Sequence, residues 1–174
     1  MSNIIVEAQR YAQAAHKGVK RDWGDDDYIE HPTRVARRTG AHDIASKTTV
    51  CAAWLHDVPE DTEKTDADIR AAFGHPIADL VKELTNPSKG MKLGRAKRKQ
   101  IDRDHLATVS REAQVIKLLD RIDNIKDLGQ APDDFKKLYA HESRLLADVI
   151  GHADLELKAE LLEAIKKLEE TTAK

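Results

Sequence analysis

Apolar positions recur along this chain at helical spacing almost from end to end, and the strict alternation expected of strands is nearly absent. Ile4, Ile5, Ala8, Tyr11, Ala12 and Ala15 form one stripe, which predicts a helix over 3–17. Gly18, Gly24 and the run Asp25-Asp26-Asp27 mark 18–27 as a loop. Pro32 is tolerated in a first turn, so a helix is expected from about His31 to Gly40. The stretch 46–58 is apolar on most sides and predicts a central helix. Thr65-Asp66-Ala67-Asp68 resembles a capping box and opens a helix to Phe73, which Gly74 ends. Pro76 starts another, reaching about Thr85, and 86–91 reads as a loop. A basic helix is expected over about 93–107. Ser110 caps a second helix with apolar residues around much of its surface: Val115, Ile116, Leu118, Leu119, Ile122 and Ile125. Gly129 and Pro132 end it, and 133–170 is helical with a possible break near Gly151. The pattern contains no repeat, linker or low-complexity segment, so a single all-α domain over 1–174 is expected.

Composition narrows the partners. The 174 residues are 40% hydrophobic and 34% charged, which suits a soluble globular chain. The net charge of −2 gives no global basic field, so nucleic acid is not an expected partner. A phosphate-bearing ligand would need a local cluster of Lys and Arg. Cys51 is the only cysteine, which excludes an internal disulfide and a cysteine-based zinc site. No apolar run is long enough for a bilayer and no signal pattern opens the chain, so the expected location is the cytoplasm.

The candidate chemistry lies in short pieces far apart in sequence. His31, the pair His56-Asp57, and Asp120 offer two imidazoles and two carboxylates, a set that suits a divalent first-row ion. Asp120 is flanked by Leu118, Leu119 and Ile122, where a carboxylate needs a cation: a metal, or a neighbouring Arg. Glu60 and Asp61 follow the His-Asp pair. On a continuing helix Glu60 shares a face with His56, from which a carboxylate can orient or deprotonate water. The set points to metal-dependent phosphate-ester hydrolysis. The basic stretch 92–103, with Lys97 and Arg98 at its middle, and Lys20-Arg21 are candidate phosphate or base contacts. The histidines at 16, 42, 75, 105, 141 and 152 lack an acidic partner in any defensible pattern.

The ordered strings Ala15-His16-Lys17-Gly18, Lys20-Arg21, Tyr28-Ile29-Glu30-His31-Pro32, Trp54-Leu55-His56-Asp57-Val58-Pro59-Glu60-Asp61-Thr62, Phe73-Gly74 and Lys117-Leu118-Leu119-Asp120-Arg121-Ile122-Asp123-Asn124 together resemble the HD-domain superfamily of metal-dependent phosphohydrolases. Within it they are most similar to the hydrolase domain of the RelA/SpoT family and to the small alarmone hydrolases. The resemblance covers roughly residues 8–150. It implies removal of pyrophosphate from the 3′ position of guanosine tetra- or pentaphosphate, commonly with manganese. His31, His56, Asp57 and Asp120 fall on the metal ligands. Glu60 and Asp61 fall on the pair that handles the attacking water, Lys20 and Arg21 on the pair at the nucleotide, Asn124 on a nucleoside contact, and Tyr139 on a tyrosine near the substrate.

Three features depart from that pattern. Pro59 predicts a kink between the His-Asp pair and Glu60-Asp61. The order Lys20-Arg21 is reversed. Asp25, Asp26 and Asp27 would oppose an anionic substrate unless they point away. Two other functions fit the same residues: a phosphohydrolase of this superfamily acting on another nucleotide, such as nicotinamide dinucleotide phosphate or a nucleoside monophosphate, and a non-catalytic nucleotide-binding module.

Overall fold

The structure, a computed structural model, describes residues 3–172. It is all-α; among the described residues the β pairing is limited to one isolated bridge between Lys20 and Asp27. The helices are α1 (Ile4–Ala15), α2 (Glu30–Gly40), α3 (Lys47–Leu55), α4 (Val58–Asp61), α5 (Asp66–Phe73), α6 (His75–Leu84), α7 (Arg95–Leu106), α8 (Arg111–Lys126), α9 (Asp133–Ile150) and α10 (Leu155–Thr172), with a 3₁₀ turn at Asp127–Gln130.

Local chemistry sets most of the boundaries. Asn3 accepts from the Ile5 N–H at 3.1 Å and starts α1. Ser46 with Thr49, and Thr65 with Asp68, form reciprocal capping boxes at α3 and α5. Gly74 takes φ +77°, a conformation that costs it no Cβ clash, and lets α5 stop and α6 start at once. The long apolar stretch after residue 110 becomes α8, which ends at Lys126, before Gly129.

α8 is the axis of the fold. Its residues 113–123 are all buried, and α2, α6, α9 and α10 pack around it. α3 is the second central element, covered by α1, α2 and α6. Leu118, Leu119 and Ile122 are each at most 1% exposed, and each contributes about 1.5–3 kcal/mol of burial. Inside this apolar frame α8 also buries Lys117, Asp120, Arg121 and Asp123. Charges at such depth need partners held in place by the packing.

α3 does not continue to the acidic pair. It stops at Leu55, His56 and Asp57 form a turn, and α4 restarts at Val58. Pro59 explains the break. It has no N–H to give to the carbonyl four residues back, that of Leu55, and its ring crowds that carbonyl. In the first turn of α4 the same proline is tolerated. The kink that Pro59 predicts is present, and the shared face of His56 and Glu60, which required a continuing helix, is absent.

Candidate metal centre and adjoining cavities

His31 comes from the first turn of α2, His56 and Asp57 from the α3–α4 break, and Asp120 from the middle of α8. Their side chains meet. His31 Nε2 lies 3.4 Å from Asp57 Oδ2 and 3.2 Å from Asp120 Oδ1. His56 Nε2 lies 3.1 Å and 3.8 Å from the same two oxygens. One ligand atom each from His31, His56 and Asp57 falls within 4.8 Å of the others. Both Nε2 atoms are enclosed by protein and have no hydrogen-bond partner. Two orphaned imidazole nitrogens facing two carboxylate oxygens are what a divalent cation would satisfy, so the residues fit a metal.

The opposite edges of both imidazoles are fixed. His31 Nδ1 is 2.7 Å from Asp123 Oδ2, and His56 Nδ1 is 2.8 Å from the Ala53 carbonyl. A proton on each Nδ1 leaves the Nε2 lone pair pointing into the centre. Without a cation the carboxylates hold protons on these rings instead. Burial lowers the pKa of His31, but the facing carboxylates of Asp120, Asp123 and Asp57 outweigh it and raise it well above the usual range. Burial likewise opposes the charge on His56, yet Asp57 and Asp120 push it up to about 9. Asp57 and Asp120 are held well below the carboxylate range, against burial: Asp57 chiefly by His56 and His31, Asp120 chiefly by Lys117.

A second layer of residues holds the first. Lys117 Nζ sits 2.9 Å from Asp120 Oδ2, and Asn124 Nδ2 donates to Asp120 Oδ1 at 2.5 Å. Arg34 grips Asp123 through Nε and Nη2 at 2.7 and 2.9 Å, and donates to Asp127 at 2.6 Å. Sequence reasoning assigned no role to Asp123, Asp127, Arg34 or Lys117. Lys117 and Asp123 each stand three residues from Asp120 on one helix, a spacing that was available as a signal.

The acidic pair splits. Tyr28 Oη lies 2.7 Å from Asp57 Oδ2 and 2.7 Å from Asp61 Oδ2. A phenol has one proton, so two such contacts need a second proton on one of the carboxyls. Asp61 is the candidate: partial burial, then the charge of Asp57, raise its pKa, although the residue still faces solvent. Glu60 turns elsewhere. Its two oxygens accept from the backbone N–H and side-chain amide of Asn86, both at 2.8 Å. It lines neither cavity beside the centre.

Candidate ligands line one cavity, and a second, larger one shares part of its wall. The smaller, about 150 Å³, has Asp57 and Asp120 in its wall together with the cations Lys99, Arg103, Lys117 and Arg121. The larger, about 510 Å³, is lined by Lys20, Arg21, Trp23, Phe135 and Asp61, among others. Tyr28, Lys99, Asn124 and Tyr139 belong to both walls. Trp23, Phe135 and Tyr139 make an aromatic strip with centroid steps of 5.3 and 5.8 Å, and the Arg121 guanidinium lies 4.5 Å above the Tyr139 ring.

The basic helix is phased differently from the expectation. Lys97 is exposed, and neither Lys97 nor Arg98 lines either of these cavities. Burial of Asp102 and Leu106 turns the 99/103 edge of α7 inward instead. Of the three loop aspartates, Asp27 pairs with Lys20 at 2.9 Å and none lines either cavity. Asn124 stands in both walls, but its amide is engaged by Arg21 and Asp120. His16 is buried and stacked on Tyr28 at 4.7 Å, packing the phenol in place.

The comparisons with known proteins bear on this geometry. Residues 8–147 match the HD domain family. A probable guanosine-3′,5′-bis(diphosphate) 3′-pyrophosphohydrolase of Mycoplasma pneumoniae is 34% identical over 85% of this chain, which spans only 21% of that relative's length. The MESH1 guanosine-3′,5′-bis(diphosphate) 3′-pyrophosphohydrolase of Xenopus tropicalis is 35% identical over 72% of this chain and 69% of its own. A solved structure described as "A metazoan ortholog of SpoT hydrolyzes ppGpp and plays a role in starvation responses" superposes with a TM-score of 0.86 at 25% identity, covering 96% of each chain. By its match over most of its length and by its all-α architecture, the chain belongs to the HD domain family.

Proposed function

We propose that the protein is a metal-dependent hydrolase that removes pyrophosphate from the 3′ position of guanosine tetra- or pentaphosphate, leaving GDP or GTP. The carrying observation is the convergence of His31, His56, Asp57 and Asp120 beside a small cation-walled cavity that shares Tyr28, Lys99, Asn124 and Tyr139 with a larger aromatic one. The curated names of the relatives support the choice of substrate. We take the chain as one domain of HD type acting in the cytoplasm, where a free nucleotide would be met.

His31, His56, Asp57 and Asp120 would hold the cation, with manganese as the favoured metal. When bound, such an ion supplies Lewis-acid stabilisation of phosphoryl charge and a water of lowered pKa. In the reaction a water oxygen bonds to the phosphorus carried by the 3′ oxygen. The P–O3′ bond breaks, and the 3′ oxygen leaves with a proton. Asp61, held by Tyr28, orients the water and, once its carboxyl has lost its own proton, takes one from it. Lys99, Arg103 and Arg121 meet the phosphates in the smaller cavity, and Lys117 keeps Asp120 charged. Arg21, Trp23, Phe135 and Tyr139 offer planar surfaces to the base in the larger one. Glu60 supports the site from the Asn86 loop and does not touch the water.

The test is release of pyrophosphate from guanosine tetraphosphate by purified protein with added Mn²⁺. Stoichiometric GDP and pyrophosphate are expected. A folded, Mn²⁺-loaded protein that leaves the tetraphosphate intact overturns the substrate, and orthophosphate release from another nucleotide would redirect it.

A further inference from the structure

We propose that Arg21 is a positioning residue of the metal centre, acting from the wall of the larger cavity on three of the four ligand side chains. The inference rests on the metal site of the preceding section. Arg21 touches none of the ligands directly. Its Nη2 donates to Asn124 Oδ1 at 2.6 Å, and the other end of that amide donates to Asp120 Oδ1. Its Nε lies 3.1 Å from Asp127 Oδ2. The same Asp127 oxygen accepts from Arg34, which grips Asp123, which fixes Nδ1 of His31. The guanidinium also lies 5.2 Å above the ring of Tyr28, whose hydroxyl reaches Asp57. Asp120, His31 and Asp57 are thus each reached through one to three intervening side chains.

The guanidinium is what makes this possible. It presents donors in a rigid planar fork, so Asn124 and Asp127 can be held at a fixed separation by one side chain. A lysine ammonium in its place keeps the charge and loses the second prong. The Asn124 amide has the same logic. With its oxygen taken by Arg21, its NH₂ faces Asp120, which fixes the orientation that Asp120 Oδ1 presents to the two Nε2 atoms. The Arg21 side chain is 14% exposed, so it remains within reach of a ligand in the larger cavity while it holds this network. Occupation of that cavity and cation affinity are therefore linked through one residue.

The test is Mn²⁺ affinity of the full chain, titrated without nucleotide by calorimetry or by loss of the free-ion paramagnetic resonance signal. Arg21→Gln and Arg21→Lys are each expected to weaken Mn²⁺ binding about 10- to 100-fold, the range for outer-layer partners of a metal site. Combining Arg21→Gln with Asn124→Ala should cost less than the sum of the two single changes, because they cut the same path. If Arg21→Gln fails to fold, Arg21→Lys carries the test alone, since it keeps the charge. A folded Arg21→Lys protein binding Mn²⁺ within about twofold of the unaltered chain overturns the inference, as does full additivity with Asn124→Ala. An unaltered chain that binds no Mn²⁺ overturns the metal site itself, a different failure.

Discussion

Lys117 and Asp120 face each other inside the protein, Nζ to Oδ2 at 2.9 Å, one turn apart on α8 and each less than 10% exposed. The pair lets a carboxylate persist among Leu118, Leu119 and Ile122. Removing one partner of such a pair leaves an uncompensated charge. Lys117→Met is expected to destabilise the metal-free protein by about 3 kcal/mol, the low end for a broken buried pair because His31 and His56 still face Asp120. Saturating Mn²⁺ should restore part of the loss. Urea denaturation with and without the metal measures both quantities.

Asp123 does for His31 what Lys117 does for Asp120. It holds Nδ1 and so aims Nε2. Asp123→Ala is expected to lower Mn²⁺ affinity about 10- to 100-fold while the helical content is kept. Equilibrium dialysis against Mn²⁺, paired with circular dichroism, checks it.

Tyr28 and Asp61 should behave as one unit. Asp61→Asn is expected to lower kcat about 10²-fold or more, in the range for a lost proton-transfer group. Tyr28→Phe removes the hydroxyl that orients Asp61 and should lower kcat with little change in KM. In the Asp61→Asn background the tyrosine change should cost less than in the unaltered chain, the remainder coming from its bond to Asp57. Steady-state kinetics on the four proteins of the cycle decide this.

The two candidate ligand histidines predict a proton-linked metal site. In the metal-free protein His56 is pushed up to about 9, and His31 is raised as well. Unfolded histidine titrates near about 6.5. Their charge therefore contributes stability that is complete below about pH 6.5 and is lost as pH rises through the folded values. Metal-free protein should lose stability between about pH 7 and 9, whereas Mn²⁺-loaded protein, with the protons displaced, should not. Mn²⁺ affinity should rise over the same window. Calorimetric titrations in buffers of different ionisation enthalpy should show proton release on binding.

Gly151 joins α9 to α10 where an added Cβ would stand 2.3 Å from the Ala147 carbonyl oxygen and 2.6 Å from Lys158 Cδ. The lysine can move, but the carbonyl cannot without shifting the end of α9. Gly151→Ala is expected to destabilise the fold by about 1–3 kcal/mol, with activity per folded molecule unchanged. Thermal unfolding against specific activity separates the two.

Much of the helical framework was legible because its signals are local. Ser110, the Thr65–Asp68 box and Gly74 mark boundaries within a few residues of themselves. What escaped depended on distant partners. Pro59 signals the break that separates Glu60 from His56, but nothing local signals that Asn86, 26 residues further on, captures the Glu60 carboxylate. Lys97 and Arg98 were chosen from a helix so rich in charge that its apolar residues barely fix its phase; Asp102, buried and bonded to the Ser88 N–H, sets that phase. Trp23 lay in a loop with no periodicity to aim it. The four candidate ligands are nameable as strings, but their meeting depends on how α2, α3 and α8 cross, which no local pattern contains.

α8 carries Lys117, Asp120, Asp123 and Asn124 on consecutive turns, and Asp127 directly follows. An α-helix advances about 100° per residue. Inserting or deleting a single residue upstream of Lys117 within α8 would swing all five away together; after an insertion Ile116, Leu119 and Ile122 would arrive where Lys117, Asp120 and Asp123 had been. Point substitution can therefore vary this site gradually, but a change of length in α8 is all-or-nothing, so natural variation in spacing should be confined to the segments outside it.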